Sequence, residues 1–272
     1  MIRIALGGQT LESHIDEHDA NWRLTHAVWN GKSPWSDIKR VFVMLQNGKC
    51  AYCERRIQAN LDENKYESDV EHYRPKNQTT LWVSKDNSSP ARIGLVTGYE
   101  WLATNVWNYL LSCKTCNSEL KKNNFPIAGL VGRRNSSIKT LNTREKPLLP
   151  YPIGDIDDDP EDLIDWDGFV PIPKFSESVD SFRYWRARIT IELLKLNARD
   201  DILIGCAERI CLVWDDLLNC LKTGKSFEYD LSLPHAACVR SFLRLAGQNP
   251  EQAAVVFRRA KQILATTNRY QK

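Results

Sequence analysis

Apolar residues recur at helical spacing through the last third of the chain. One stripe contains Val179, Phe182, Trp185, Ile189, Leu193 and Leu196, and a second contains Leu203, Ala207, Ile210, Trp214, Leu217 and Leu221. Steps of three and four residues keep such positions on one helix face. A third helix is predicted to begin at Ser232 or Leu233, with Pro234 in its first turn, and a fourth at Asn249-Pro250. The pattern predicts a C-terminal helical domain over residues 179–272.

The first 48 residues also show helical patterning. Leu11 to Asn30 is predicted to form one helix. A second has Ser33 as its N-cap, Pro34 at its first position and Gly48 at its end. Its apolar residues Ile38, Val41, Phe42 and Leu45 keep helical period. We therefore expect residues 1–48 to form an N-terminal helical segment that packs behind the middle of the chain.

The middle of the chain alternates instead. Asp69 to Tyr73 alternates polar and apolar residues, which predicts a half-buried strand that Pro75 ends. On a strand, Glu71 shares one face with Tyr73, and His72 lies on the other. Thr79–Gly98 is predicted to be a loop. The whole pattern predicts an α+β protein that is mostly α-helical.

Residues 151–178 are predicted to be an acidic, irregular connector. Eight acids and no base lie between Asp155 and Asp167, and Gly168, Pro171 and Pro173 follow. Such a composition is typical of a solvated linker, so a domain boundary is expected here. An acidic stretch of this kind could also be a calcium-binding loop, but the glycine and the terminal glutamate of that motif are missing.

Composition is that of an ordinary globular protein, with 42% hydrophobic and 26% charged residues. The net charge of +3 is too small to argue nucleic-acid binding from the whole-chain balance. No apolar run approaches the ~20 residues that cross a bilayer, and the N-terminus lacks the apolar core of a signal peptide. Four cysteines without paired spacing are predicted to be buried free thiols of a reducing cytosol: Cys206, Cys211, Cys220 and Cys238. We expect a cytoplasmic protein with no membrane partner.

The other four cysteines form two C-x2-C pairs, Cys50 with Cys53 and Cys113 with Cys116. Two such pairs supply the four thiolates of a closed tetrahedral zinc site, which is structural because sulfur fills every position. Between the pairs lies His72, preceded by Glu71. A histidine flanked by acids and enclosed by a zinc clasp suggests metal-assisted phosphodiester chemistry. The alternative is a plain zinc module in which Glu71 and His72 are an ordinary surface pair.

Basic and aromatic residues gather around the second cysteine pair. Between Leu110 and Pro147 the only acids are Glu119 and Glu145, whereas the bases are Lys114, Lys121, Lys122, Arg133, Arg134, Lys139, Arg144 and Lys146. Such a strip fits a passing phosphate backbone, with a solvated charged loop as the alternative. The aromatic residues can stack on bases or pack as a core: Tyr99, Trp101, Trp107 and Tyr109.

A fixed order of motifs runs from about Lys49 to Arg199. C-x2-C is followed by Glu-His, by Trp107-Asn108-Tyr109 and by C-x2-C-Asn-x3-Lys. This order resembles the HNH (ββα-metal) endonucleases of the zinc-clasped type. Further segments resemble one bacterial branch of that family: Cys50–Glu54, Val70–Lys76, Leu110–Cys113 with Asn117-Ser118, Asn123–Pro126, Glu145–Leu149 and Ile191–Asn197. The branch includes the HNH subunit of Septu-type antiphage systems, which also serves as an effector in some retron systems.

The resemblance implies an HNH nuclease core over residues 49–150, in which a small ββα unit binds a catalytic Mg²⁺ or Mn²⁺. The helix of that unit is expected at Asn117–Lys122. His72 matches the general base, with an ordinary pKa near ~6.5. Asn108 matches the asparagine that fixes the loop aiming the histidine.

Glu71 and Asn117 match the metal ligands of the family. The family more often has Asp before the histidine, so Asp69 is a possible substitute for Glu71. The candidate nucleic-acid contacts are Arg74, Lys76, Lys121, Lys122, Arg133 and Arg134.

The implied function is a metal-dependent endonuclease that acts as an antiphage effector under the control of an ABC-like ATPase partner. DNA is the favoured substrate, and structured RNA such as tRNA is the alternative, because phosphate chemistry reads neither sugar nor base. The competing hypothesis is a catalytically silent zinc module that binds nucleic acid or protein.

Overall fold

The computed structural model describes residues 1–28, 30–31, 33–57, 67–80, 82, 90–91, 97–225, 227 and 229–270. Within these ranges the chain forms eight α-helices and four short strands, which confirms the predicted α+β class. Most of the predicted loop Thr79–Gly98 lies outside the described residues. No helix in the described ranges is both long and apolar enough to cross a membrane.

The first predicted helix is broken into two. Helix α1 spans Leu11–His18 and α2 only Trp22–Thr25, so a continuous helix over residues 11–30 is wrong. Asp19 has the extended conformation, and its Oδ1 accepts a hydrogen bond from the Asn21 backbone nitrogen at 3.0 Å. Such side-chain bonds compete with helical backbone bonding, so the chain turns here.

The second predicted helix begins later than Ser33. Pro34–Ser36 forms a 3₁₀ turn, Ser33 makes no capping bond, and α3 spans Lys39–Leu45. The buried Trp22 indole donates a hydrogen bond to the Pro34 carbonyl at 3.1 Å. This bond holds the turn, and with it Trp35, beside the first strand.

Strand β1 spans Ser68–His72, which confirms the predicted strand, and pairs antiparallel with β2, Tyr109–Cys113. In this register Glu71 lies opposite Leu110, and His72 opposite Tyr109. Every residue of β2 is buried, so it lacks the alternation that marks a half-buried strand in a sequence. A π-helical turn follows at Thr115–Lys121, so the helix expected at residues 117–122 starts two residues earlier and is wider.

The predicted connector contains an ordered hairpin. Helix α4, Ile138–Glu145, precedes it; β3 spans Ile164–Asp167 and β4 spans Val170–Pro173. Gly168, with φ of +62°, makes the turn between the strands. The acids pair with arginines of the C-terminal half: Asp157 and Asp158 with Arg186, Glu161 with Arg240 and Arg244, and Asp165 with Arg244. The prediction of a solvated, irregular connector is therefore wrong for this stretch.

The last third of the chain is helical, as predicted. The helices are α5 Ser181–Leu193, α6 Asp200–Thr223, α7 Ala236–Gln248 and α8 Pro250–Tyr270. Helix α8 begins at the predicted Pro250, but α7 begins at Ala236 rather than at Ser232 or Leu233, after His235 in the left-handed conformation. Val179 is 73% exposed and lies outside the core face predicted for it. The side chain of Leu221 lies outside the described part.

One large apolar core joins the N-terminal, middle and C-terminal parts of the described chain. A single cluster joins Leu11 of α1, Tyr109 of β2, Leu163 before β3 and Phe242 of α7. Tyr99 and Tyr109 are buried in it, and Trp101 and Trp107 pack against it, so the aromatic residues act as core. The predicted domain borders stay predictions.

Candidate metal centre and active site

The two cysteine pairs meet in one buried cluster. Cys50 and Cys53 lie on the turn after α3, Cys113 ends β2, and Cys116 lies in the π-helical turn. Their sulfur atoms all lie within 4.8 Å of one another. In the described part of the chain this is the only group of three or more histidine, cysteine or acidic residues placed to hold a metal ion. The predicted four-cysteine site is confirmed as a cluster that can hold a metal such as zinc.

The spacing of the sulfur atoms fits zinc. Cys53 Sγ and Cys113 Sγ lie 3.9 Å apart. A tetrahedron with Zn–S bonds of ~2.3 Å has sulfur atoms ~3.8 Å apart. Hydrogen bonds from the other three thiols hold the pKa of Cys113 far below its usual range, so this group is the readiest to become a thiolate. The spacing of the four sulfur atoms thus suits a thiophilic cation.

Backbone bonds shape the first cysteine turn. Gly48 has a φ of +64°, which lets the chain leave α3 sharply. The Glu54 nitrogen then donates to the Cys50 carbonyl, and the Ala51 nitrogen donates to the Leu111 carbonyl of β2, each at 3.0 Å. The second bond fixes this turn against the strand that ends at Cys113.

The other four cysteines form no disulfide. Cys206 and Cys238 are buried, as predicted, whereas Cys211 and Cys220 are only partly buried.

His72 ends β1 in a mostly apolar setting. Its Nε2 lies 3.0 Å from the Ala103 carbonyl oxygen, and its ring stands edge-on to Trp35 and Tyr109, with centroid distances of 4.6 and 5.1 Å. Burial, together with the charge of Lys76, lowers the pKa of His72 to about 3. The expectation of an unperturbed pKa is therefore wrong, because the ring is only 6% exposed. The imidazole is neutral at pH 7.

Asn108 is fully buried and binds the backbone on both sides of this histidine. Its Oδ1 accepts from the Arg74 nitrogen at 2.7 Å, and its Nδ2 donates to the carbonyl oxygens of Arg74 at 3.0 Å and Leu102 at 3.3 Å. Leu102 precedes Ala103, whose carbonyl meets His72. Asn108 thus fixes both the end of β1 and the loop that orients the imidazole.

Two carboxylates point from the same face of β1, and each is held by a lysine. Asp69 accepts from Lys114 Nζ at 2.6 Å and from Asn117 Nδ2 at 3.2 Å. Glu71 forms an ion pair with Lys121, which is fully buried. Burial raises the pKa of Glu71, and Lys121 opposes that rise. Of the two acids, Asp69 is the one that contacts Asn117.

These groups line one cavity of about 440 Å³ beside β1. Its walls include Asp69, Glu71, His72 and Asn117, together with Lys39, Lys76 and Lys122. Trp35 and Lys39 come from the N-terminal segment, which no motif had marked. Lys39 follows the turn that Trp22 holds, and its Nζ donates to the Ser68 carbonyl at 2.7 Å. Only the fold brings this segment to the site.

The predicted nucleic-acid contacts separate into two groups. Arg74 is fully buried, with its Nε 2.8 Å from Glu145 Oε2 and its Nη2 2.8 Å from Asn142 Oδ1. Lys121 is buried as well, so the structure corrects both: neither reaches the surface that a nucleic acid would touch. Lys76 and Lys122 line the cavity, whereas Arg133 and Arg134 are exposed beyond it. Lys76 Nζ lies 4.4 Å from the centre of the Trp35 ring.

Arg199 contacts the cysteine cluster, which the sequence did not predict. Its Nη1 lies 3.1 Å from Cys116 Sγ. It stands 83 residues after Cys116, and no spacing pattern connects the two. The only sequence signal for Arg199 was the family resemblance, which extends to about this residue.

Fold and site together define an α+β protein with a closed four-cysteine centre next to a cavity lined by acids, lysines and a histidine. No protein-family model matches the chain, and no solved structure matches it. Two curated relatives match the chain, and both are named Septu protein PtuB. The one from Bacillus mycoides (strain KBAB4) is 33% identical over 129 residues, which is 47% of this chain and 38% of the relative. The one from Bacillus thuringiensis is 34% identical over 92 residues, 33% of this chain and 26% of the relative. The chain thus spans less than two fifths of the length of the curated relatives it matches. The similarity supports a relationship to PtuB-like proteins.

Proposed function

We propose that this chain is a metal-dependent endonuclease of the HNH type, which hydrolyses phosphodiester bonds of nucleic acid. The observation that carries the proposal is the cavity beside β1, whose lining includes a neutral imidazole, two carboxylates, an amide and three lysines. The ββα unit of the proposal corresponds to β1, β2 and the π-helical turn Thr115–Lys121.

His72 serves as the general base. Because the Ala103 carbonyl oxygen can only accept, the Nε2 atom next to it carries the hydrogen. The lone pair is then on Nδ1, which takes the proton from the attacking water. The low pKa keeps the ring unprotonated at neutral pH, and Asn108 keeps it aimed.

Asp69, Glu71 and Asn117 offer the oxygen atoms that a hard cation such as Mg²⁺ or Mn²⁺ prefers. When bound, the cation supplies charge stabilisation at the leaving oxygen. Lys114 and Lys121 now hold the two carboxylates, so these lysines must yield part of that contact to the cation. Asp69 is the stronger candidate for the acidic ligand next to Asn117, since the two side chains already touch.

The substrate backbone runs over Lys76 and Lys122 at the cavity and past Arg133 and Arg134 outside it. DNA is the favoured substrate, with structured RNA such as tRNA as the alternative.

The similarity to Septu protein PtuB supports a role as a component of an antiphage defence system. In that role the nuclease acts in the cytoplasm and is controlled by an ABC-like ATPase subunit. Service as a retron effector belongs to the same proposal.

The test is cleavage by the full-length chain, alone and with its co-expressed ATPase partner. Supercoiled plasmid and tRNA are each incubated with Mg²⁺, Mn²⁺ or EDTA. Nicking or cutting that needs the cation and disappears in His72→Ala supports the proposal. His18→Ala is the matched control, because His18 is an exposed histidine away from the cavity. Binding of either nucleic acid without any cleavage, partner included, favours the catalytically silent zinc module.

A further inference from the structure

Arg199 reaches from the start of α6 to two sulfur atoms of the four-cysteine cluster. Its Nη1 lies 3.1 Å from Cys116 Sγ, and its Nη2 lies 3.8 Å from Cys53 Sγ. The same guanidinium donates to the Asp201 carboxylate at 3.0 and 2.6 Å. Its side chain is only 9% exposed. One buried cation therefore bridges both cysteine pairs and the first turn of α6.

The charge of the cluster explains why a cation belongs there. Four thiolates around one Zn²⁺ carry a net charge of about −2. A buried charge is costly unless it is paired and hydrogen-bonded. The guanidinium of Arg199 is always positively charged, and its N–H groups are hydrogen-bond donors arranged in a planar fork. Arg55, two residues after Cys53, interacts electrostatically with Cys53 and Cys113 and supplies a second cation.

Contacts on either side of the first cysteine pair hold the start of α7. Lys49 Nζ donates to the Leu233 carbonyl at 3.0 Å, and the Ala237 nitrogen donates to Glu54 Oε2 at 3.2 Å. Both Lys49 and Glu54 are buried. The beginnings of α6 and α7 thus rest on the same turn that carries Cys50 and Cys53.

We propose that the four-cysteine centre connects the N-terminal half of the chain to the C-terminal helices. Arg199 is the positioning residue that links metal occupancy of this centre to the placement of α6. With metal bound, the guanidinium faces an anionic sulfur cluster. Without it, nothing fixes Cys53 and Cys116 in one position, and the start of α6 loses the anchor that Arg199 makes to these two sulfur atoms. The inference does not depend on nuclease activity.

The first measurement is zinc release from the full-length protein to a chromogenic chelator. Arg199→Gln should release zinc about 10–100-fold faster, the usual cost of losing a hydrogen-bond partner of a metal ligand. Arg199→Lys, which keeps the charge but not the fork, should lie in between. Arg240→Gln is the matched control: Arg240 also pairs with an acid, Glu161 at 3.2 Å, on the same half of the chain. It should release zinc like the wild type.

Two further readouts separate positioning from a general loss of stability. In the cobalt-substituted protein, the sulfur-to-metal absorption should shift in Arg199→Gln and not in Arg240→Gln. Chelator-stripped wild type should lose hydrogen-exchange protection in the first turns of α6 more than in the middle of α8.

Equal zinc release and equal cobalt spectra in Arg199→Gln and Arg240→Gln overturn the proposal, as does unchanged protection of α6 after stripping. Should Arg199→Gln fail to fold, Asp201→Asn replaces it, because this variant loosens the guanidinium without removing it. Faster zinc release from Asp201→Asn is then expected, and a wild-type rate overturns the proposal.

Discussion

The four-cysteine centre and the cavity beside β1 share one strand pair but are built in opposite ways. In the centre, four cysteines place their sulfur atoms within 4.8 Å of one another, which gives a set of like donors suited to a thiophilic cation. In the cavity, each acid already forms an ion pair with a lysine: Asp69 with Lys114, and Glu71 with Lys121.

The two constructions indicate different roles for the two regions. A cluster of thiolates cannot stay together without a counter-charge, so it ties metal binding to folding. The two acids of the cavity each already have a lysine partner, so the cavity is stable as it stands and its side chains are available for chemistry. Changes in the first region should cost the fold. Changes in the second should cost mainly activity, except at Glu71, whose loss also leaves Lys121 buried without its acid.

Cys113→Ser should have the largest effect. It removes a ligand from the centre, and structural zinc contributes ~10 kcal/mol or more to small metal-bound units. We expect loss of the roughly one zinc per chain and loss of cooperative thermal unfolding, measured by metal analysis and calorimetry. Cys211→Ser, outside the cluster, should keep both. A soluble, zinc-free and active Cys113→Ser protein would show that neither the fold nor the activity needs the metal centre.

His72→Ala should leave the fold intact and lower the cleavage rate. Loss of a positioned general base lowers cleavage by about 10²–10⁴-fold. Zinc content should stay at the wild-type value, because His72 contacts Ala103 and aromatic rings rather than the cysteines. The measurement is cleavage rate under single-turnover conditions, together with metal analysis. Full activity in this variant would place the active site elsewhere.

Arg74→Gln tests whether Arg74 belongs to the fold or to the substrate interface. It leaves Glu145 buried without its cation, and breaking a buried ion pair costs about 3–5 kcal/mol. Chemical denaturation should show that loss. Arg144→Gln is the control, since Arg144 is exposed and its side chain donates to a backbone oxygen, the Val131 carbonyl, rather than to a buried acid. Unchanged stability with weakened nucleic-acid binding would restore Arg74 as a phosphate contact.

These contrasts show which parts of the site a sequence can reveal. The cysteine pairs were predictable because each pair fits one tight turn and the ligand type is distinctive. Strand β1 was predictable from its alternation. The roles of Arg74 and Lys121 were not, because a sequence shows a charge but not the buried acid that neutralises it.

Distance along the chain hid the remaining site residues. Trp35 and Lys39 precede β1 by some thirty residues, and Arg199 follows Cys116 by 83. Each reaches its site through tertiary packing: the Trp22–Pro34 bond for the N-terminal turn and the start of α6 for Arg199. The acidic stretch was misjudged for the same reason, since its partner Arg186 lies in α5.

Asp69→Asn and Glu71→Gln test which acid of the cavity is the main cation ligand. Each should raise the half-saturating Mg²⁺ concentration for cleavage by about tenfold, ~1.4 kcal/mol. Mn²⁺ binds such donors more tightly and should restore part of the activity, whereas His72→Ala should not respond. The measurement is cleavage rate against the concentration of each metal. Because Asp69 contacts Asn117, we expect the larger shift for Asp69→Asn; the reverse order would make Glu71 the main ligand.

The smallest effect should come from the exposed basic residues outside the cavity. Arg133→Gln combined with Arg134→Gln removes two exposed charges that we propose as phosphate contacts, outside both the cysteine cluster and the cavity. The slope of log binding constant against log salt should become shallower by about one unit per arginine. The measurement is binding of a labelled duplex at several salt concentrations, in a His72→Ala background that prevents cleavage. Arg258→Gln with Arg259→Gln on α8 is the matched control, because it removes the same charge from an exposed face of the C-terminal half. If both pairs change the slope equally, the protein attracts nucleic acid through its overall charge. If only the α8 pair changes it, the backbone follows the C-terminal helices instead of the cavity.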